Sequence, residues 1–373
     1  PAQKVGQLVR DEHHALKDPS LGVAKDWHAH AKSCETAAGI AATLKIASAM
    51  TEFDADALEF DAGTALFNCE NCTFELSKAE SFEHRREDYI SKISPVVHDP
   101  GATCPRWLEF LGEVFDCDIA LIDYFQWAAG YSMTGDVSAQ TWFMLVGKGA
   151  NGKSTAIRVL QHILGEYAQQ LNSEQLLQQK YTGHSCELAV LQGARFVAVA
   201  ETAEGRRFNE AIVKQLTGGD KIRARLIGEN GGEFVPQLKL WIFTNHAPRV
   251  RDDSDGFWRR CRIIPFLVSF EGRSDTALLA TLKSEASGIL NWLAEGARRH
   301  FESGEPDVPQ AVKIATNSYR VSQDTLARFI SEECLLCENG SVEKAKLHAA
   351  YTEYCGGRGG SPHDLTKRLR ERN

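Results

Sequence analysis

Residues 147–154 read G-K-G-A-N-G-K-S, a complete phosphate-binding loop of the form G-x-x-x-x-G-K-[ST]. The apolar run from Trp142 to Val146 predicts a buried strand before the loop, and apolar residues at helical spacing follow Thr155. Glycines let backbone N–H groups surround phosphates, and the helix N-terminus adds a positive dipole end. The segment therefore predicts nucleoside triphosphate binding. The expected binding residues are Gly147, Lys148, Gly149, Ala150, Asn151, Gly152, Lys153, Ser154 and Thr155.

Polar residues at the ends of two further apolar runs could complete the chemistry. In such a loop Lys153 reaches the β and γ phosphates, and the Ser154 hydroxyl holds Mg²⁺. The run 195–200 is followed directly by Glu201, with Glu204 one turn further. Either acid could bind Mg²⁺ and polarise water. We prefer Glu201 because it stands at the predicted strand end, although many strands end in a merely solvated acid.

A third predicted strand, 238–244, ends at Asn245, whose amide could orient the attacking water or sense the γ-phosphate. Arg259 and Arg260 follow after a polar loop. A guanidinium held there could address a phosphate of a neighbouring subunit more easily than its own loop.

Bulk composition is that of a globular protein of two or three domains, with 373 residues, 43% hydrophobic and 25% charged. No apolar run approaches the ~20 residues of a membrane span, and no signal-peptide core is present, so we expect no membrane association and a cytoplasmic location. The net charge of −8 argues against a globally basic nucleic-acid coat protein. The segment 205–262 nevertheless has 12 Lys/Arg against 7 Asp/Glu, which suits a channel that tracks phosphates. Because the chain begins at Pro1, we expect it to be a piece of a longer protein.

Ten cysteines include two C-x-x-C pairs, Cys69/Cys72 and Cys334/Cys337. The first pair lies in what reads as two short strands around a turn, and the second lies at i,i+3 spacing on a predicted helix from Asp324 to Cys337. A zinc site would need both pairs to meet. We expect reduced thiols and no structural zinc.

The predicted fold class is α/β, with a P-loop (AAA+-like) ATPase core around a parallel sheet. The predicted domains are an α-rich N-terminal or collar region (1–135), the ATPase core (136–302) and a C-terminal helical unit (303–373). Within the last, three helices resemble a winged-helix unit without its wing.

The ordered motifs resemble the superfamily 3 helicases, and among these the phage, plasmid and poxvirus-type primase-helicases. The resemblance covers about residues 50 to 370. It is carried by the phosphate loop, the strand ending at Glu201, the K-Q-L-T-G-G-D-x-I-x-A-R segment, the strand ending in Thr244-Asn245, W-R-R and the stretch Cys104-Pro105-Arg106-Trp107.

This resemblance implies an ATP- and Mg²⁺-dependent homo-hexameric ring on single-stranded or forked DNA, with a primase domain upstream in the full-length protein. By the resemblance, Ser154 and Glu201 serve Mg²⁺, Asn245 is the polar sensor, and Arg259 or Arg260 reaches the neighbouring γ-phosphate.

One departure concerns the expected DNA contact. The hairpin tip 228–232 lacks the cation that related rings often carry, so contact would fall to Lys221, Arg223 and Arg225, which could equally be solvated strand residues. Cys72 also replaces a turn glycine of the family, which supports the non-metal interpretation.

Two other function classes stay open on sequence alone. One is an ATP-dependent DNA-binding initiator or loader without sustained unwinding. The other is a P-loop kinase or metabolic ATPase, against which the arginine pair, the hairpin and the lack of a recognisable small-substrate site all count.

Overall fold

The computed structural model describes residues 29–47, 60–178, 186–200, 206–224, 232–250, 255–273, 275–337, 340–357 and 359–370. The chain forms two compact units, Pro1–Phe60 and Asp61–Asn373. In the first unit, helix α1 spans Ala37–Ala47, and none of its residues is buried.

The second unit holds the remaining elements. In chain order they are β1 (Leu66–Asn68), β2 (Thr73–Glu75), β3 (Glu80–Phe82), α2 (Pro105–Val114), α3 (Ile119–Tyr131), β4 (Trp142–Val146), α4 (Lys153–Leu164), β5 (Ala168–Leu171), α5 (Cys186–Ala189), β6 (Phe196–Ala200), α6 (Glu210–Gly218), β7 (Ile222–Ala224), β8 (Gly232–Phe234), β9 (Lys239–Thr244), α7 (Asp255–Trp258), β10 (Cys261–Pro265), α8 (Leu278–Ser284), α9 (Ala286–Ser303), α10 (Gln310–Gln323), α11 (Thr325–Glu333), α12 (Lys344–Tyr354) and α13 (Pro362–Arg370).

A five-stranded sheet in the order β10-β4-β9-β6-β5 forms the centre, and every neighbouring pair is parallel. This confirms the predicted parallel α/β sheet. Parallel strands share one carboxyl edge, so residues that follow β4, β6, β9 and β10 lie along the same edge. Strand β9 lies between β4, which leads into the phosphate loop, and β6, which leads to Glu201.

Helices cover both faces of this sheet because its strands alternate between two cores. Phe143 and Leu145 of β4 belong to the core that contains residues of α2, α3, α4 and α9. Trp142 and Met144 belong to the opposite core, with residues of α6, α7 and α10.

The first of these cores crosses both predicted domain boundaries. It joins Trp127 of α3, Leu160 of α4 and Val312 of α10. The boundaries at 135/136 and 302/303 stay predictions, and the shared core shows that residues on both sides of each pack together.

Two small antiparallel sheets stand apart from the central one. Strands β1, β2 and β3 form a meander, which includes the two strands predicted around Cys69 and Cys72. Strands β7 and β8 form the predicted hairpin, in which Arg223 pairs with Glu233.

The C-terminal helices α11, α12 and α13 have a small core of their own, made by Leu326, Phe329, Tyr351 and Leu365. The three predicted helices are confirmed, but the prediction that the first continues to Cys337 is wrong. It ends at Glu333, and Cys334 is extended. Acids at a helix C-terminus oppose its dipole, and the last turn has no basic residue to offset them.

Across the described ranges, no helix is both long enough and apolar enough to cross a membrane.

Candidate nucleotide-binding site

The phosphate loop is held in a conformation that only glycine permits at two of its positions. Gly152 has φ +84°, and a Cβ there would come within 2.7 Å of Val114 Cγ1 in α2. A Cβ on Gly147 would come within 2.0 Å of the Phe266 carbonyl oxygen. These glycines therefore let the backbone form a concave loop before α4, and such a loop fits phosphate oxygens.

Lys153, the first residue of α4, is 5% exposed, and its ammonium group donates to three oxygens of the described residues. Nζ donates to Gly147 O (2.7 Å), Asn151 Oδ1 (2.9 Å) and Asn245 Oδ1 (3.1 Å). The structure thus brings the loop lysine and the predicted sensor amide into direct contact, although 92 positions separate them in the chain. Parallel pairing of Val146 with Thr244 places both residues at one edge.

A segment that the sequence analysis did not single out supports the loop from the side. Asn151 Nδ2 donates to Phe266 O (3.0 Å), and Phe270 N donates to Ala150 O (2.6 Å). A cavity of about 560 Å³ lies between the two segments. It is lined by Lys148, Gly149, Ala150, Asn151, Phe266, Leu267, Val268, Ser269 and Glu271. Only the pairing of β10 with β4 brings these segments together, and the sequence carries no local signal of that pairing.

The predicted Mg²⁺ ligands are partly described. Ser154 is exposed in the first turn of α4, one residue beyond Lys153, and Thr155 is half-buried. Glu201 and Glu204 lie outside the described residues. Strand β6 ends at Ala200, which pairs with Phe243 two residues before Asn245. The exposed Ser154 hydroxyl, and the fit of the glycine loop to phosphates, suit a metal-bound triphosphate.

Arg259 and Arg260 lie at the opposite edge of the sheet from the phosphate loop. The Arg260 carbonyl accepts from Trp142 N (2.9 Å) at the first residue of β4, whereas the loop follows the last. A strand of this length separates the two edges by roughly 15 Å. Neither arginine is therefore placed to contact its own subunit's loop.

The two arginine side chains converge on one glutamine. Gln140 Oε1 accepts from Arg259 Nη2 (3.3 Å) and Arg260 Nη2 (3.1 Å), and Arg260 Nη1 donates to Lys214 O in α6 (3.2 Å). Burial lowers the pKa of Arg260, and the neighbouring Arg259 charge lowers it further.

Arg262, two residues after Arg260, is hydrogen-bonded to Glu305. Arg262 donates to both carboxylate oxygens of Glu305 (2.7 and 2.9 Å), and Tyr124 donates to the same carboxylate (2.8 Å). Arg262 Nη1 also donates to the Arg259 carbonyl (2.7 Å), which fixes the backbone at that residue.

The predicted DNA-contacting residues lie on or before the β7–β8 hairpin. Lys221 is exposed, and Arg223 donates to Glu233 on the opposite strand at 2.5 Å. This hydrogen bond and the Arg223 charge lower the pKa of Glu233. Arg225 lies outside the described residues, as does most of the tip. The antiparallel register places Glu233 opposite Arg223, and its carboxylate offsets part of the positive charge on this face. This pairing was not predicted from the sequence.

Comparison with known proteins finds two family models and several viral relatives. The D5 N terminal like family matches residues 2–116, and a family of unknown function (DUF5906) matches residues 145–260. The candidate helicase L207/L206 of Acanthamoeba polyphaga mimivirus is 28% identical over 242 residues, which cover 60% of this chain and 25% of that protein. The candidate primase C962R of African swine fever virus (isolate Tick/Malawi/Lil 20-1/1983) is 22% identical over 309 residues, covering 76% and 32%.

The relatives that this chain resembles are thus viral proteins with helicase and primase names. The chain spans between a quarter and a third of the length of these relatives. Among solved structures, the A form apo structure of the NrS-1 C-terminal region is 14% identical, with a TM-score of 0.45, covering 79% of this chain and 74% of that one.

The two C-x-x-C pairs lie in separate settings. Cys69 and Cys72 are buried at the β1–β2 turn, and burial raises the pKa of both thiols. Cys334 and Cys337 both come after the end of α11, so the prediction that they share a helix face is wrong. In the described part of the chain, no three His, Cys, Asp or Glu residues are grouped to hold a metal. The absence of zinc stays a prediction, which elemental analysis showing one zinc per chain would contradict.

Proposed function

We propose that this chain is the ATP-driven helicase part of a replication protein of a virus, phage or other mobile element, acting as a homo-hexameric ring on single-stranded or forked DNA. The observation that carries the proposal is the contact between Lys153 Nζ and Asn245 Oδ1 (3.1 Å). It joins the lysine of the phosphate loop to an amide that can sense the phosphate bound by that lysine.

Each residue at the carboxyl edge has a defined task in this proposal. Lys153 would bind β- and γ-phosphate oxygens in place of its hydrogen bond to Asn245, and the released Asn245 amide could orient the attacking water. Ser154 and Glu201 would hold Mg²⁺, which supplies charge neutralisation of the triphosphate. Positioning and charge neutralisation are nearly all that phosphoryl transfer to water requires.

Completion of this site by a second subunit is supported by the position of the arginine pair. Arg259 and Arg260 lie at the amino edge, a full strand length from their own loop. In a ring, one subunit's amino edge can face the next subunit's carboxyl edge, and an arginine supplied in this way can raise turnover by ~10³-fold or more.

Superfamily 3 membership is supported by the order of the motifs along the sheet edge and by the hairpin that follows α6. In this proposal Lys221, Arg223 and Arg225 contact the phosphates of the translocated strand, and an upstream primase domain belongs to the same full-length protein. The Arg223–Glu233 pair leaves Lys221 and Arg225 as the stronger candidates.

A forked-DNA unwinding assay tests the function. We expect ATP-dependent strand separation and DNA-stimulated ATP hydrolysis. DNA-stimulated hydrolysis without strand separation would support the initiator or loader alternative. ATP hydrolysis indifferent to DNA would overturn a nucleic-acid motor altogether.

A further inference from the structure

Gln140 is an unusual residue at the amino edge of the sheet. Its φ is 51°, in the left-handed region that residues other than glycine rarely adopt. Its side chain makes three hydrogen bonds, accepting from Arg259 and Arg260 and donating through Nε2 to the Gly218 carbonyl (3.3 Å). Backbone in an unfavourable conformation persists where the surroundings enforce it, and such sites are often functional.

The loop that carries Gln140 is anchored by two buried basic side chains. Lys239 Nζ donates to Thr134 O (2.5 Å) and Asp136 O (2.9 Å), and Arg195 Nη1 donates to Met133 O (2.9 Å). Both basic residues are 1% exposed. The loop between α3 and β4 is thus fixed on the ends of β6 and β9, and Gln140 extends from a rigid base.

The Gln140 oxygen binds the guanidinium groups of both Arg259 and Arg260 without neutralising either charge. The amide is neutral, so both guanidinium groups keep their full charge beside each other. Arg260 Nε is also buried, with no hydrogen-bond acceptor among the described residues. A carboxylate at position 140 would hold the pair more strongly but would cancel charge that an incoming phosphate needs.

We propose that Gln140 is a positioning residue for the arginine pair, holding Arg259 and Arg260 together against the end of α6 for presentation to the triphosphate of the adjoining subunit. The proposal rests on the proposed function. Gln140 does not touch the nucleotide in this account. It acts by restricting where the two guanidinium groups lie while leaving them charged.

Two variants test this role. Gln140→Asn keeps the amide and suits the left-handed backbone, but its side chain is one methylene shorter and cannot span the arginines and Gly218 O. We expect kcat for ATP to fall about 10- to 100-fold, as for other small misplacements of catalytic groups. We also expect KM within about twofold of the unchanged protein and an equal or higher melting temperature.

Gln140→Glu separates positioning from simple structural support. A carboxylate should bind both arginines, so the melting temperature should hold or rise while kcat falls. Added salt should recover part of that loss in DNA-free assays, because the new ion pair is partly exposed and screened. A structural role would instead make activity follow stability in both variants.

Gln126→Asn is the matched control. Gln126 also accepts from an arginine, Arg299 Nη2 (2.6 Å), and donates to a carbonyl, Trp292 O (2.9 Å). Its side chain joins α3 to α9, and among the described residues it makes no hydrogen bond to Arg259 or Arg260. We expect it to lower stability slightly and leave kcat unchanged. Normal kcat in Gln140→Asn or Gln140→Glu, with the unchanged chain active, would overturn this role alone. An unchanged chain without ATP turnover would overturn the proposed function and this inference with it.

Discussion

At the scale of single residues, the site is organised around one buried ammonium group. Lys153 is 5% exposed and bonded to three neutral oxygens, two in its own loop and one at the end of β9. Hydrogen bonds from Nζ to these neutral oxygens can be exchanged for hydrogen bonds to phosphate oxygens when a triphosphate enters the loop.

Lys153→Ala should therefore abolish ATP hydrolysis and leave the fold intact. We expect turnover to fall at least ~100-fold, because a preorganised cation at the reacting phosphates is lost. The melting temperature should change by only a few degrees, since water can solvate the freed oxygens in the adjacent cavity. Steady-state ATPase and thermal unfolding measure the two effects. The exposed Lys313 of α10, replaced by alanine, is the control. Retained turnover would remove Lys153 from the site.

At the scale of elements, the ends of neighbouring strands decide which residues can act together. Strand β9 lies between β4 and β6, so Asn245 stands between the phosphate loop and the residue after Ala200. The order of strands in a sheet is a long-range property. The sequence predicted β4, β6 and β9 and the polar residues that come after each of them, but not β5, β10 or the pairing of β10 with β4.

The residue that comes after β6 gives the next prediction. Glu201→Gln should still bind ATP but hydrolyse it at least ~100-fold more slowly, because an amide can neither activate water nor neutralise Mg²⁺. Nucleotide binding by fluorescence and turnover under saturating ATP separate the two effects. Glu204→Gln is the paired variant. If Glu201→Gln turns over ATP normally and Glu204→Gln does not, the role belongs to Glu204.

The loop between α3 and β4 gives a pH prediction. His300 in α9 hydrogen-bonds Asp136 at 2.8 Å, and this contact lowers the pKa of Asp136 well below its usual value despite the opposing effect of burial. A lowered folded-state pKa contributes stability that is present above the unfolded value near ~4 and lost as pH falls through the folded value. Asp136→Asn should reduce the free energy of unfolding at pH 7 by about 1–3 kcal/mol.

The difference in unfolding free energy between Asp136→Asn and the unchanged protein should shrink as pH falls below ~4. Protonation of Asp136 then removes from the unchanged protein the stability that the variant already lacks. Denaturant unfolding at several pH values measures it. Asp123→Asn, at an exposed position of α3, is the control and should show no such convergence. A constant difference between the Asp136 variant and the unchanged chain at all pH values would contradict the assignment.

At the scale of the whole molecule, the residues proposed for ATP hydrolysis divide between two edges of one sheet. Local patterns predicted the phosphate loop, the sensor position and the arginine pair. Gln140, Glu233 and the segment 266–271 were missed, because each acts through a contact made across the fold rather than through a motif. The prediction that α11 continues to Cys337 was wrong for the same reason, since contacts across the fold decide where the helix ends. Helical spacing continues there, but the exposed Leu335 and Leu336 have no core to pack against.

The division between edges is the central claim, since it requires two subunits to build one site. Arg260→Ala alone should bind ATP and hydrolyse it poorly, and Lys153→Ala alone should also hydrolyse it poorly. Mixed in one preparation, the two variants form some interfaces that pair an intact phosphate loop with an intact arginine.

The decisive measurement is ATP turnover of this mixture, titrated across the ratio of the two variants, with mixed assembly verified by native mass spectrometry. We predict turnover above that of either variant alone, with a maximum at intermediate ratios. A mixture of Arg260→Ala with a Lys153→Ala, Arg260→Ala double variant is the control and should recover nothing. No recovery in verified mixed assemblies would place Arg260 in its own subunit's site or in a purely structural role, and would contradict the shared site.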